Sequence, residues 1–212
     1  MSTEILMTAA GVAGYLLGSI NTSILVGRMY GMDIRKQGSG NAGATNTLRT
    51  LGKKAAVLVL AGDILKGVFA CLAGYFAFQA AGFPQAELSL GMMTGGTGAV
   101  IGHNWPLYFG FRGGKGILTS FAVVLMVDWR IGLISLGIFL AMLLATRYVS
   151  AGSILAAAGM SVLFLLPFFG HPPKVMVLAA LLGILAIWRH QPNIRRLLAG
   201  TEARWDRKGK KA

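Results

Sequence analysis

Residues 55–80 read AAVLVLAGDILKGVFACLAGYFAFQA, and this stretch decides the fold. Its only charged residues are Asp63 and Lys66. A helix needs about 20 mainly apolar residues to cross a bilayer, so the stretch predicts a membrane-spanning helix. Charged residues inside such a helix are unfavourable unless they are paired. We therefore expect Asp63 and Lys66 to pair with each other or with another polar cluster, and direct contact with a substrate is the alternative.

The whole chain has the composition of a membrane protein. It has 212 residues, of which 55% are hydrophobic and only 13% are charged, and its mean hydropathy is +0.64. A soluble domain has about 25% charged residues, so these charges cannot cover a water-facing surface. We predict an all-α integral membrane protein, a seven-span helical bundle that forms one domain over residues 1–212. The predicted spans are 5–27, 55–80, 88–102, 116–128, 131–149, 151–170 and 173–189, followed by a basic cytoplasmic tail over 190–212.

Two of these segments, 88–102 and 116–128, are short, and either could cross the membrane only in part. The first segment lacks the basic start of a cleavable signal peptide, so we expect it to be retained as a span.

Basic residues concentrate on one side of the predicted spans. With the N-terminus outside, the loops 28–54 and 103–115 and the tail from Arg189 hold most of them, whereas Arg130 and Lys174 lie on the other side. The positive-inside rule then places the C-terminus and the Gly-rich loops in the cytoplasm. The net charge of +13 is therefore attributed to topology and to anionic lipids or substrates, and no nucleic acid partner is expected.

The first polar cluster follows the first span. Its glycine-rich backbone can form a nest of N–H groups around an oxyanion, and the helix start predicted after it also favours anions. Its arginine can bind phosphate or carboxylate through a forked pair of hydrogen bonds. An ordinary Gly-rich loop capped by an asparagine is the alternative. The cluster comprises Asp33-Ile34-Arg35, Gly38-Ser39-Gly40-Asn41-Ala42-Gly43-Ala44-Thr45-Asn46 and Arg49.

The second cluster begins at His103 and ends with Arg112-Gly113-Gly114-Lys115-Gly116. It is not a Walker A loop, because Phe109 and Gly116 stand where that motif needs Gly and Ser or Thr. Lys115 can still act as a point charge on a phosphate, or it can serve only to hold the loop inside. His103 can belong to the same site, and the alternative is that it is only a hydrogen-bonded structural residue.

The third cluster lies in the tail and contains His190, Asn193, Thr201 and Glu202 among several arginines. If the segment is helical, His190 and Asn193 share a face. His190 can be a base, a donor or a phosphate ligand, or an interfacial residue at a helix end. Glu202 can simply pair with Arg195, Arg196 or Arg204.

The remaining residues indicate no cofactor and no metal. The three histidines and the single cysteine, Cys71, lack the spacing of metal ligands. The G-x-S-x-G elbow of Ser-His-Asp hydrolases is also missing.

Together the three clusters resemble the bacterial acyl-phosphate:glycerol-3-phosphate acyltransferases, small seven-span enzymes of phospholipid synthesis. The resemblance covers nearly the whole chain. Its most specific parts are the Gly-Ser-Gly-Asn-x-Gly-Ala-Thr-Asn run and the tail pattern from Arg189 to Glu202. Asn21 and Leu118 depart from the residues common in the family, which are Pro and Ala.

The resemblance implies that an acyl chain moves from acyl phosphate to the 1-hydroxyl of sn-glycerol 3-phosphate. The products are 1-acyl-glycerol 3-phosphate (lysophosphatidic acid) and phosphate. Ser39, Asn41, Lys115 and His190 match catalytic positions. The implied substrate-binding residues are Gly38, Gly40, Thr45, Asn46, Arg49, His103, Gly113, Gly114, Gly116, Asn193 and Glu202.

The resemblance also implies a multi-pass protein of the bacterial cytoplasmic (inner) membrane, with its active site facing the cytoplasm. We expect a monomer surrounded by membrane lipids, and its functional neighbour would be the enzyme that makes acyl phosphate. A transporter for an organic phosphate or another anion is the alternative function. The position of the polar clusters disfavours it, since transporters bind their substrates near the bilayer midplane.

Overall fold

The computed structural model of the protein describes residues 2–205. This part of the chain forms ten α-helices and contains no β-strand, so the predicted all-α class is confirmed. Helices α1 to α6 form one compact unit, which ends at Val127, and α7 to α10 belong to a second unit. The helices are α1 (Thr3–Gly18), α2 (Thr22–Met29), α3 (Ala44–Leu51), α4 (Lys53–Ala80), α5 (Leu88–Asn104), α6 (Ile117–Val127), α7 (Trp129–Thr146), α8 (Val149–Leu165), α9 (Pro173–Arg189) and α10 (Gln191–Leu198).

Helix α5 is the central helix of the first unit and packs between α1 and α4. Glycines permit backbone contact on both of its sides. A Cβ added to Gly14 of α1 would overlap the backbone of Gly95, and one added to Gly74 of α4 would overlap the backbone of Gly91. Small residues allow helix backbones to approach this closely in a bilayer. The Gly-rich helix α5 is therefore largely buried by its neighbours.

The first predicted span, 5–27, is broken between α1 and α2. Asn21 caps α2 by accepting a backbone N–H of its first turn at 3.1 Å, and its amide nitrogen donates to the carbonyl of His103 at 3.4 Å. Ser19 accepts a hydrogen bond from the N–H of Leu107 at 3.2 Å. The polar groups at this break therefore hold the end of α5 and the loop that follows it.

In the second unit, the helix within the predicted span 151–170 ends early, at Leu165. The chain then enters Pro167, and a residue before proline disfavours helical backbone. Helices α9 and α10 meet at His190 with a bend of 54°. Near the start of α7, the carboxylate of Asp128 lies 3.1 Å from His171 Nε2, which ties the loop before α9 to α7.

Each of the seven predicted spans contains a helix, but the helices differ in length. Three stretches are long and apolar enough to cross a membrane: 3–29, 53–80 and 129–146, with the bent pair of α9 and α10 as a possible fourth. Helices α6 and α8 are apolar but shorter. Several helices are thus long and apolar enough to span a membrane, while the number seven and the orientation stay predictions, as does the single domain. The basic residues Arg207, Lys208, Lys210 and Lys211 lie outside the described residues.

Candidate active site

Asn46 supports the Gly-Ser-Gly-Asn loop from inside. Its side chain is almost fully buried. The amide nitrogen donates to the carbonyls of Ile34 (3.2 Å) and Gln37 (3.0 Å), and Oδ1 accepts the N–H of Ser39 (2.9 Å). These three bonds give Asn46 a structural role at the start of α3, the helix predicted here. Its implied contact with substrate stays a prediction.

The predicted nest of loop amides is wrong in one respect. The N–H of Ser39 is already bonded to Asn46, and the N–H of Gly40 donates to the carbonyl of Gln37 at 2.9 Å. These two amides cannot also surround an oxyanion. The loop instead uses left-handed backbone at Gly38 (φ 55°) and Gly40 (φ 72°), a conformation that glycine adopts readily. As a result the exposed Ser39 lies between two glycine turns.

Arg35 joins the first loop to the second. Its guanidinium binds the carboxylate of Asp33 in a fork, with Nε 2.9 Å from Oδ1 and Nη2 2.9 Å from Oδ2. Its Nη1 donates to the carbonyls of Phe109 (2.8 Å) and Arg112 (3.2 Å). The hydrogen bond from Arg35 lowers the pKa of Asp33 to about 2, so this connection is charged at neutral pH.

The Gly113–Gly114 segment folds back against the end of α5. The N–H of Gly113 donates to the carbonyl of Asn104 (3.2 Å), and that of Gly114 donates to the carbonyl of His103 (3.1 Å). A Cβ on Gly114 would overlap both His103 Nε2 and the carbonyl oxygen of Ala42. The absence of a side chain at Gly114 therefore lets the first loop, the second loop and His103 meet at one point.

Lys115 follows this meeting point and precedes the amino end of α6, which begins at Ile117. Its side chain is half-buried. Gly116 has φ of 73°, and the turn that it makes directs the chain into α6. A helix amino end and a lysine side by side favour a negatively charged group.

Asn104 was missed by the sequence-based predictions. It is fully buried at the end of α5, and within the described chain neither its amide nitrogen nor its Oδ1 has a hydrogen-bond partner. Its Oδ1 lies 3.0 Å from the position that a Cβ of Gly116 would occupy. The only signal in the sequence is its place beside His103, which does not distinguish it from any residue at a helix end.

In the second unit, Glu202 organises the third cluster. Its Oε1 accepts hydrogen bonds from Ser150 (2.6 Å) and from the amide of Asn193 (2.6 Å), and its Oε2 accepts Nε of Arg196 (2.7 Å). The predicted pairing of Glu202 with an arginine is confirmed for Arg196. Burial raises the pKa of Glu202, but these three donors outweigh it and leave the pKa below the usual range.

His190 lies at the junction of α9 and α10 and is buried. Its Nδ1 is 2.7 Å from the carbonyl of Ala186, one turn earlier, so Nδ1 carries the proton and donates. Asn193 follows in the first turn of α10, and its N–H donates to the carbonyl of His190 at 2.8 Å. Asn193 thus contacts the backbone of His190 through its N–H and Glu202 through its side chain. The roles implied for His190, Asn193 and Glu202 at the substrate site stay predictions.

Comparison with known proteins identifies the family. Residues 8–200 match the family model described as Glycerol-3-phosphate acyltransferase. The chain belongs to this family. A glycerol-3-phosphate acyltransferase of Shouchella clausii (strain KSM-K16) is 42% identical over 205 residues, which make up 95% of this chain and 97% of that relative.

Two solved structures of the family are also similar to this chain. One is the crystal structure of PlsY (YgiH), an integral membrane glycerol 3-phosphate acyltransferase, in its glycerol 3-phosphate form. It has a TM-score of 0.83 and 38% identity, with 94% of this chain and 96% of that chain covered. The lysophosphatidic acid form has a TM-score of 0.80 and 38% identity, with 94% and 95% covered.

Membership of the glycerol-3-phosphate acyltransferase family agrees with the resemblance drawn from the sequence and supports an enzyme over an anion transporter. Within the first unit, the structure brings the first two predicted clusters together around Gly114. Within the second unit it assembles the third cluster. The individual roles of Ser39, Asn41, Thr45, Arg49 and Lys115 stay predictions.

Proposed function

We propose that this glycerol-3-phosphate acyltransferase takes its acyl chain from acyl phosphate and transfers it to the 1-hydroxyl of sn-glycerol 3-phosphate. The products are 1-acyl-glycerol 3-phosphate and inorganic phosphate. The observation that carries the proposal is the convergence of two glycine-rich basic loops at Gly114, beside Lys115 and the amino end of α6. The similar structures in glycerol 3-phosphate and lysophosphatidic acid forms support the same substrate and product here.

The chemistry asks the protein mainly to position two anions. Acyl phosphate is already activated, because phosphate is a good leaving group. The substrate hydroxyl oxygen attacks the acyl carbon, the bond from that carbon to the phosphate oxygen breaks, and no covalent enzyme intermediate is needed. Fixed positive charges and donors stabilise the negative charge that develops during this step. The hydroxyl proton passes to a phosphate oxygen or to His190.

Specific residues are proposed for each part of this work. Ser39 and Asn41 orient and polarise the acyl phosphate. Lys115 and Arg49 hold the phosphate of glycerol 3-phosphate as cationic contacts. His190 and Asn193 are further contacts for that substrate, as the family resemblance implies, and Glu202 keeps the Asn193 side chain in its orientation.

We also propose a seven-span topology in the bacterial cytoplasmic membrane, with the N-terminus outside and the site facing the cytoplasm. The support is the excess of Lys and Arg in the loops 28–54 and 103–115 and in the tail. The enzyme then binds acyl phosphate and glycerol 3-phosphate from the cytoplasm, where metabolic phosphates are made.

The test uses purified, detergent-solubilised protein with palmitoyl phosphate and glycerol 3-phosphate. We expect phosphate and lysophosphatidic acid in equal amounts, with release dependent on glycerol 3-phosphate. Ser39→Ala and Lys115→Ala should lower kcat/KM by about 100-fold or more, the range for losing one group that stabilises developing charge. Lys36→Ala, which changes an exposed lysine of the first loop, is the matched control for Lys115→Ala. Ser89→Ala, at the end of α5 far from His103, is the matched control for Ser39→Ala.

Two outcomes would contradict parts of the proposal. Transfer from palmitoyl-CoA but not from palmitoyl phosphate would refute the donor while leaving the acyltransferase assignment. Equal activity in Lys115→Ala and Lys36→Ala would remove Lys115 from the substrate site.

A further inference from the structure

A buried ion pair lies inside the first unit and has no role in the proposed reaction so far. Asp63 and Lys66, three residues apart on α4, place Lys66 Nζ 2.9 Å from Asp63 Oδ1. Only 2% of the Asp63 side chain and 7% of the Lys66 side chain are exposed. Ionisable residues are costly within a membrane helix and commonly have a function. The predicted pairing is therefore confirmed, and its purpose needs an explanation.

The surroundings of Lys66 define the protonation of His103. Three groups face the ammonium group: Asp63 Oδ1, its ion-pair partner, at 2.9 Å, and two hydrogen-bond partners, His103 Nδ1 at 2.8 Å and the carbonyl of Ile20 at 3.4 Å. A lysine ammonium has three N–H donors and no acceptor. Nδ1 of His103 also lies 3.4 Å from Asp63 Oδ1, but its shorter contact, 2.8 Å, is with the ammonium group. Because an ammonium group can only donate, this shorter contact requires Nδ1 of His103 to accept. The imidazole is then neutral, and its proton is on Nε2.

The opposite side of this imidazole faces the meeting point of the two loops. His103 Nε2 and the Ala42 carbonyl oxygen both lie against the α-carbon of Gly114. The same residue, His103, accepts the N–H of Gly114 through its own carbonyl at 3.1 Å. Its ring and its backbone thus contact the second loop together. The hydroxyl of Thr119 on α6 also donates to the carbonyl of Asp63 at 3.1 Å.

We propose that Asp63 and Lys66 are positioning residues for the acyltransferase reaction, which act by holding His103 as the Nε2–H tautomer between the two substrate loops. Neither residue needs to touch a substrate. The ion pair fixes the orientation of the imidazole ring at its Nδ1 side. The Nε2 side of the ring then fixes the position of the Gly-Ser-Gly-Asn loop relative to the Gly113–Gly116 loop. The proposal rests on the proposed function for its kinetic consequence, but its structural content can be tested without activity.

The first experiment reads the tautomer directly. Protein carrying ¹⁵N-labelled histidine is examined by NMR in detergent, and the three histidine signals are assigned with His103→Gln and His171→Gln variants. We expect His103 to show a protonated Nε2 and an unprotonated, hydrogen-bonded Nδ1 in the wild-type protein. A proton on Nδ1, or on both nitrogens, would overturn the proposal whether or not the protein is active.

The second experiment separates positioning from charge balance. Lys66→Met alone leaves Asp63 buried without its counterion and is expected to be unstable. The double variant Asp63→Ala/Lys66→Met removes both charges, and replacing a buried pair by apolar residues is often tolerated. We expect the double variant to unfold near the wild-type temperature. Its His103 should show mixed tautomers, and its kcat/KM for glycerol 3-phosphate should fall about 10- to 100-fold, the loss that follows when the partners that orient metal-binding histidines are removed.

Lys54→Met, an exposed lysine on the same helix, is the matched control and should keep wild-type kinetics. If the pair serves stability alone, the double variant will recover both its unfolding temperature and its kcat/KM, which would overturn the proposal. If the double variant does not fold, the NMR measurement of the His103 tautomer in the wild-type protein still tests the proposal. An inactive wild-type protein with the expected tautomer would refute the proposed function and leave the inference about His103 standing.

Discussion

Substituting alanine for Gly14 tests whether backbone contact between α1 and α5 holds the first unit together. The Cβ of the new residue would overlap the carbonyl oxygen of Gly95, and it would lie 2.8 Å from the Gly95 carbonyl carbon. Gly11 is one turn earlier on α1 and offers a matched control. A Cβ there meets only a methyl group of Thr94, at 3.8 Å, which is ordinary contact.

The magnitude follows from these distances. Ordinary contact begins near 3.4 Å, so α1 and α5 must separate by at least about 0.6 Å to accept the extra methyl group. Overpacking of this kind destabilises a protein by about 1–3 kcal/mol. Gly11→Ala has no such clash and should stabilise its helix by about 0.5–1 kcal/mol. The same helix gain applies to Gly14→Ala, so the two variants should differ by the overpacking cost, about 1–3 kcal/mol.

Thermal unfolding of the detergent-purified variants, followed by circular dichroism, measures this difference. About 2–4 °C per kcal/mol is expected for a chain of 150–250 residues, so the two midpoints should lie about 2–12 °C apart, with Gly14→Ala lower. Equal midpoints would show that α1 and α5 can separate without loss. The claim that their glycines are required for packing would then be wrong.

Two further predictions concern carboxylates outside the membrane helices. Glu202→Gln cannot accept from all three of its present donors, and it leaves Arg196 facing an amide N–H₂ group, so the unfolding midpoint and kcat/KM should both fall, by about 1–3 kcal/mol in stability. The second prediction is that the unfolding midpoint depends on the protonation of Asp33. The pKa of Asp33, about 2, lies below the ordinary value of about 3.9. Its pairing with Arg35 stabilises the fold fully above pH 4, and that stabilisation should be lost as the pH falls towards 2. Asp33→Asn should abolish this part of the pH dependence. If the variant's midpoint falls with pH as the wild-type midpoint does, the loss does not come from the Asp33–Arg35 pair.

The sequence predicted the helical class and the polar clusters because both depend on local patterns. A long apolar run such as 55–80 can be recognised from the local sequence alone. The pairing of Asp63 with Lys66 was predictable from their spacing and from the cost of isolated charges in lipid. The family resemblance came from motif residues whose order along the chain is sufficient for recognition.

Contacts between distant segments were not predictable from such patterns. The Arg35 contact with the Phe109 carbonyl joins residues 74 positions apart. The contact of Lys66 with His103 depends on how α4 packs against α5, which no local periodicity encodes. Likewise, the commitment of the Ser39 and Gly40 amides to internal acceptors follows from the buried position of Asn46, a fact of tertiary structure.

The glycine contacts of α5 have a consequence for how this family tolerates change. Where Gly14 faces the Gly95 carbonyl, and Gly74 faces that of Gly91, an α-hydrogen points at an oxygen on the next helix. Each Cα–H···O contact contributes about 0.5–1 kcal/mol, and it does not depend on any side chain. The exposed side chains of α1 and α4 can therefore diverge during evolution without moving the carboxyl end of α5, where the Gly113–Gly114 segment is anchored.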